Sequence, residues 1–376
     1  MQKSQQDVEA MKESFLDRKF RYSKSFNTRR TYEGALGKFE RFLWAEDHLD
    51  LEQALALFKS NVIDPIEALD GFYTHLTASH LENGKVGYSN SSITIAITVA
   101  KEFLNSQGLH IYNEDIKQKF KMPKKKTVFE EGLTKELIVR LLHNLSPKMQ
   151  MVVLMCLSSA MRIGELIQLR LSDIDFSTNP TSIHLRGETT KTREDRITHI
   201  SAEATKSLKD YLRKKFEWSE EMRDNRYLLM DNKRDLRDPR EYDRSMRSVK
   251  STLGQSLEIA VKSVPELSMR NDNGRYRIHF HAFRAWFKTQ VTMAGQSDFA
   301  EALMGHKSLK LVYFRQTQKD RLKTYLEVEP ALTVSDFGKV EETIDDMKAK
   351  IRTLQEELEK VKQWQEINES FVKIEK

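Results

Sequence analysis

The sequence predicts a mainly α-helical chain with one small β-sheet or hairpin, arranged as two folded domains and followed by a C-terminal coiled-coil-like helix. Three observations lead there. Apolar residues recur at helical spacing through most of the chain. Only 14 Gly and 7 Pro interrupt its 376 residues, so few positions oppose helix. One stretch near residues 183–200 switches to β-type runs around a turn. The length suits two domains at roughly 100–200 residues each. A hydrophobic fraction of 39% with 9% aromatics excludes a disordered chain. The single Cys excludes an intrachain disulfide framework and fits a reducing compartment.

The elements follow in order. Residues 26–120 read as helical. In 28–44, Tyr32, Leu36, Phe39 and Leu43 share one face, and Ser25 or Asn27 caps the start. In 66–78 the face is Ile66, Leu69, Tyr73 and Leu76, with Asp64 and Pro65 suited to the N-cap and first helical position. Residues 92–104 form a further candidate helix despite Ile93, Thr94, Ile95, Ile97, Thr98 and Val99, whose branching disfavours helix. Residues 117–126 hold Lys117, Lys119, Lys121, Lys124, Lys125 and Lys126 around Pro123 and read as an exposed, extended linker, able to lie along a phosphate backbone. Beyond it, 137–145 and 149–158 are amphipathic or buried helices. Residues 183–185 and 196–200 flank a Gly-Glu-Thr-Thr-Lys turn as a small hairpin. Helices resume at 202–216 and near 245–261. In the tail, Ile344, Met347, Ile351, Leu354, Leu358 and Val361 are spaced three, four, three, four, three, an a/d seam. The expected organisation is a helical domain over 1–120, a Lys-rich linker over 117–132, a second domain over 133–335 and an amphipathic or coiled-coil helix over 340–376.

The charge is unevenly distributed. The net charge is +6. Residues 340–376 contain ten acidic and seven basic side chains, so this tail carries −3 and the rest +9. The basic character belongs to the body and points to a polyanionic partner. The longest apolar run, 151–157, is far too short to span a bilayer, and the polar N-terminus lacks an apolar signal core. The expected location is the cytoplasm, in association with the nucleoid, with no membrane partner.

Walker, dinucleotide, zincin and CxxC patterns are absent, which argues against a nucleotide hydrolase or a thiolate metal site, and no cofactor or metal is expected. What stands out is a series of basic and aromatic residues. Ala160-Met161-Arg162-Ile163-Gly164-Glu165-Leu166 puts a guanidinium into an apolar segment, where it is costly unless paired. Glu165 either makes a structural pair with Arg162 or orients it as a fork for a phosphate. Gly187-Glu188-Thr189-Thr190-Lys191-Thr192 puts a Lys on the hairpin turn. His279-Phe280-His281-Ala282-Phe283-Arg284 sets His281 and Arg284 one helical turn apart, with Phe283, Trp286 and Phe287 anchoring the other face. Leu303-Met304-Gly305-His306 precedes Tyr313-Phe314-Arg315.

In this order, the series Arg, Lys, His-x-x-Arg, Gly-His, Tyr resembles the catalytic domain of the tyrosine recombinases, the phage-type integrases, over about residues 133–330. Tyr313-Phe-Arg-Gln-Thr, with Tyr325-Leu-Glu-Val-Glu-Pro-Ala-Leu-Thr downstream, is most similar to integrases of archaea and their mobile elements. The resemblance implies a clamp, made of a helical core-binding domain and a tyrosine recombinase catalytic domain, around double-stranded DNA attachment sites. It implies a site-specific recombinase that acts as a homotetramer and integrates or excises a mobile element. Its residues would be Arg162, Lys191, His281, Arg284, His306 and the nucleophile Tyr313, with Glu165 in support. The chemistry suits them. A tyrosine attacking the scissile phosphate exchanges one ester for another through a 3′-phosphotyrosine, so no ATP is required. Permanently charged, bidentate Arg162 and Arg284 meet the charge on the non-bridging oxygens. A Lys on the hairpin suits the proton donor to the leaving 5′-oxygen; the resemblance places Lys191 there, with Arg193 as the nearest rival, and the histidines donate to the phosphate or accept the tyrosine proton.

One spacing departs from the family pattern. In many members the nucleophile lies nine residues after the Gly-His histidine, where this sequence has Arg315. Tyr313 stands at plus seven and Tyr325, the alternative nucleophile, at plus nineteen. A catalytically degenerate DNA-binding protein of the same fold and a type IB topoisomerase-like relaxing enzyme are the rival readings.

Overall fold

The computed structural model describes residues 2–81, 86–124, 131–217, 219, 224–271, 274–306, 316–334 and isolated positions between 350 and 358, with backbone alone for 2–7. The chain divides into two compact units, Met1–Thr127 and Val128–Lys376. No described helix is long and apolar enough to cross a membrane.

The first unit is helical: α1 (Gln2–Ser23), α2 (Phe26–Asp47), α3 (Leu51–Lys59), α4 (Pro65–Ala78), α5 (Asn90–Ser106) and α6 (Asn113–Lys119). Side-chain caps define the starts. Ser25 accepts from the Thr28 N–H, Asp64 from Ile66 with Pro65 in the first turn, and Asp50 forms a capping box with Gln53. The core gathers Leu36, Phe39, Phe72 and Phe103, with Phe39 and Phe72 edge to face at 5.1 Å. The β-branched segment is helical after all. Ile93, Ala96, Ile97, Ala100 and Leu104 line one buried stripe, and at about 0.8 kcal/mol per buried methylene this burial outweighs the propensity cost. Periodicity missed α1, polar over most of its surface, although it buries Phe15 and Leu16.

The Lys-rich stretch is not extended throughout. Lys117 and Lys119 lie on α6, because Ile116 and Phe120, four residues apart, are buried and Phe120 stacks on Tyr73 at 5.1 Å. Lys119 is engaged by Glu67 at 2.9 Å. Extended chain begins only after it, with Lys121 and Lys124 exposed. Lys125 and Lys126 lie outside the described residues. So does most of the heptad seam, of which Leu354 and Leu358 are described and exposed.

The second unit is built on α8 (Pro147–Ser159), whose residues Met151–Ser159 are all buried. Around it pack α10 (Ala202–Phe216), α12 (Phe280–Met293) and α14 (Gln318–Leu332). β1 (Ile174–Asp175), β2 (Thr181–Leu185) and β3 (Arg196–Ile200) form an antiparallel sheet in sequence order, with Ile183 opposite Thr198. Among the described residues the remaining α-helices are α7 (Lys135–His143), α9 (Ile163–Ile167), α11 (Pro239–Lys262) and α13 (Ser297–Met304).

The C-terminal end of α8 is held by side chains from three elements. The Tyr325 hydroxyl on α14 donates to the Ser158 carbonyl at 2.7 Å. The Thr198 hydroxyl on β3 donates to Ser159 O at 2.7 Å. Arg284 on α12 donates to Ala160 O. A helix leaves its last carbonyls without partners, and here they are buried, so each donor removes a desolvation penalty. Ala160 itself turns left-handed at φ 57°, which ends the helix.

Two stability tests follow from these contacts. Tyr325→Phe, which strands the Ser158 carbonyl, should destabilise the domain by about 1–3 kcal/mol in denaturant titrations. His199 is buried beneath Tyr325, with ring centroids 5.3 Å apart, and burial, then Arg321, pushes its imidazole down to about 4. The unfolded chain protonates His199 near pH 6.5 and the folded chain does not, so stability falls as the pH drops from 6.5 towards 4. At pH 5 the loss should be about 2 kcal/mol relative to pH 7. His199→Gln should remove that component of the pH dependence.

Candidate active site

Four of the sequence-identified residues converge just past the end of α8. From the left-handed Ala160 the chain becomes extended at Arg162, the N-cap of α9. The short helix returns Glu165 to face Arg162. Its Oε2 accepts from the Arg162 backbone N–H at 2.8 Å, and its Oε1 from Arg162 Nη1 at 3.0 Å. Glu165 is only 2% exposed, whereas the Arg162 side chain is 31% exposed. The carboxylate therefore fixes the guanidinium from below and leaves its outer face open.

Arg284 lies almost wholly buried on α12, whose other face is anchored by Phe283, Trp286 and Phe287. Nη1 donates to Ala160 O, and Nη2 donates to Met304 O at 2.6 Å and to His306 Nε2 at 3.2 Å. These bonds join the end of α8 to the end of α13. There Gly305, left-handed at φ 64°, turns the chain into His306. His306 Nδ1 bonds Glu301, which also holds Lys288. With Nε2 accepting from Arg284, Nδ1 is the protonated nitrogen and donates to Glu301.

The electrostatics show a cluster short of anions. Burial opposes charge on Glu165, yet its bonds to Arg196 and Arg162 hold the carboxyl below its ordinary value. Burial likewise opposes charge on Glu301, and Lys288 and His306 more than offset it. Arg284 is pushed down to about 10 by burial and then by repulsion from Arg162 and Arg196, with Glu165 pulling the other way. It stays cationic at neutral pH. Three guanidiniums thus lie around one buried carboxylate, an excess of fixed positive charge that an anion would relieve.

Lys191 is exposed on the connection between β2 and β3. Its neighbour Thr190 is buried, and the Thr190 hydroxyl bonds Gly187 O and Glu194 O, each at 3.1 Å. The Gly187 N–H donates to Asp195 at 2.5 Å, and a Cβ at Gly187 would stand 2.7 Å from that carboxylate. The loop is thus shaped on both sides of Lys191. His281 is exposed one turn before Arg284, its ring nearly parallel to that of His279 with centroids 6.4 Å apart. Tyr313, with Arg315, lies outside the described residues. Tyr325 is fully buried, and burial raises its phenol well above its ordinary value. Sequence reasoning missed two members of the cluster, Arg196 and Glu301. The first carried one signal: on β3 it alternates onto the same side as Thr198 and Ile200, which is the core side.

Residues 131–320 match the phage integrase family. Tyrosine recombinase XerA from Thermococcus onnurineus (strain NA1) is 25% identical over 228 residues, 59% of this chain and 69% of that protein. Among solved structures, the fold is similar to a lambda integrase(75-356) dimer bound to a COC′ core site, with 15% identity, a TM-score of 0.51 and coverage of 81% of this chain and 97% of that one. It is also similar to a lambda integrase tetramer bound to a Holliday junction, with 15% identity, a TM-score of 0.50 and coverage of 79% and 77%. The family match spans half of the chain and contains the whole Arg162–Glu165–Arg284–His306 cluster; the chain belongs to the phage integrase family and is a tyrosine-type site-specific DNA recombinase.

Proposed function

We propose that Arg162 and Arg284, with His306 holding Arg284 in place, grip the scissile phosphate of duplex DNA while Tyr313 attacks it. The convergence of these three side chains at the end of α8, around one buried carboxylate, carries this reading. The tyrosine oxygen forms the new bond to phosphorus and the P–O5′ bond breaks. The DNA 3′-phosphate is then esterified to the enzyme, and the 5′-oxygen leaves with a proton from Lys191. His281, one turn before Arg284, takes the tyrosine proton or donates to a phosphate oxygen. Reversal with a different 5′-hydroxyl rejoins the strands. The guanidiniums act on the charge of the non-bridging oxygens, each worth about 10²–10³ in rate by analogy with other preorganised donors.

Tyr313 is favoured over Tyr325 on physical grounds. The Tyr325 hydroxyl is committed to the Ser158 carbonyl in the core, and burial opposes the phenolate that attack requires. The helical domain (1–120) and the 117–132 segment would complete a clamp on the DNA, with affinity dominated by phosphate contacts that weaken with salt. Lambda integrase has been solved as a dimer on a core site and as a tetramer on a Holliday junction. A tetramer of this chain, exchanging strands between two attachment sites of a mobile element, follows by analogy, and residues 340–376 are suited to helix pairing within it.

The test begins by covalent capture of a site from a random-sequence DNA pool with wild-type protein. A nicked duplex of that site then traps the adduct. Tyr313→Phe should abolish adduct formation and Tyr325→Phe should retain it; the opposite pattern assigns the nucleophile to Tyr325. Absence of any adduct alongside DNA binding would favour a non-cleaving binder. For Lys191→Ala, cleavage should slow by about 10²–10⁴-fold on ordinary DNA. A 5′-bridging sulfur at the scissile position leaves without protonation and should restore most of that rate. No restoration would remove Lys191 from the acid role.

A further inference from the structure

We propose that Arg196 is a positioning residue that holds Arg162 and His306 in register for the phosphate through Glu165 and the Leu303 carbonyl. The inference rests on the phosphate-binding reading above. Arg196 opens β3, and its side chain is 8% exposed. Nη2 donates to Glu165 Oε2 at 2.6 Å, and Nε donates to Leu303 O at 3.0 Å. One planar guanidinium therefore bridges the support of Arg162 and the end of α13, two residues before Gly305. The approach to Gly305 is close. A Cβ there would stand 3.1 Å from Arg196 Cδ and Nη1, and the backbone is left-handed at φ 64°. The Gly of the Gly-His pair thus clears room for this guanidinium as well as turning the chain. Nη1 is buried with no hydrogen-bond partner among the described residues, a burden on the fold that packing alone would not select. Because β3 also closes the loop bearing Lys191, one residue links the support of Arg162 and the end of α13 to the base of the acid's loop.

The mechanism lies in how Glu165 is shared. Its two oxygens serve different guanidiniums, Oε1 for Arg162 and Oε2 for Arg196. Without Arg196, a buried carboxylate keeps only one cationic partner. Arg162 is then drawn inward onto both oxygens, away from the phosphate. DNA would still bind through its many other contacts, but chemistry would slow.

The experiment uses the full chain and the captured nicked duplex, measuring DNA affinity and the single-turnover adduct rate at saturating DNA. Arg196→Ala should bind DNA within about threefold of wild type and form adduct on the order of 10²-fold more slowly. Arg196→Lys keeps the charge but not the fork, so it should fall between them, and it serves as the test variant if Arg196→Ala does not fold. In a Glu165→Gln background, Arg196→Ala should add less than about tenfold, because the carboxylate that captures Arg162 is gone. An unchanged adduct rate, a defect confined to affinity or a fully additive double variant overturns the proposal. Arg162→Ala separates the two claims. If it also leaves the rate unchanged, the phosphate reading itself fails; if it alone abolishes cleavage, only the role of Arg196 is lost.

Discussion

The rest of the catalytic domain depends on three consecutive carbonyls. Ser158, Ser159 and Ala160 end a helix buried along most of its length, where water cannot reach them. Each is satisfied from a separate element: α14 through Tyr325, β3 through Thr198 and α12 through Arg284. The requirement to pair buried backbone oxygens thereby draws a late helix, a strand and a central helix to one point. The next residues along the chain are Met161 and Arg162, so the same point becomes the floor of the Arg162–Glu165–Arg284 cluster.

Arg284 shows how structural and chemical duties coincide. Its guanidinium pairs the negative end of α8 and the end of α13, which locks its orientation before substrate arrives. Burial makes the charge expensive, and the depressed pKa records that expense together with the repulsion of two neighbouring guanidiniums. An anion bound among these guanidiniums would relieve that repulsion. Glu165 keeps the arrangement foldable: one carboxylate offsets part of the repulsion and spaces Arg162 from Arg196.

Much of this was legible in the chain. Arg162 and Glu165 stand three apart, a spacing that a one-turn helix brings face to face, and the structure makes that contact. Capping residues Ser25 and Asp64 located helix starts because caps are local chemistry. Other features were illegible for physical reasons. Helix α1 buries few apolar residues, so its periodicity is weak, and its place is set by what packs on Phe15 and Leu16. The Lys run looked like linker because charge dominates its composition, while two apolar residues, Ile116 and Phe120, suffice to dock one turn. Arg196 and Glu301 carried no motif; their meaning comes from partners 31 and five residues away.

By itself, the sequence determined the mainly helical class, the hairpin between residues 183 and 200, the uneven charge and the order of the basic residues that marks the family. These depend on local propensity, periodicity and order along the chain, which sequence records directly. Only the tertiary structure decided that Tyr325 is a core residue. Tyr325 shares its residue type with Tyr313, but its hydroxyl is spent on a carbonyl 167 residues earlier in the chain. Tertiary structure also decided how one carboxylate is divided between two guanidiniums. Both outcomes turn on burial and on contacts between distant segments, and the cost of a buried, unpaired polar group exists only once the chain has folded around it.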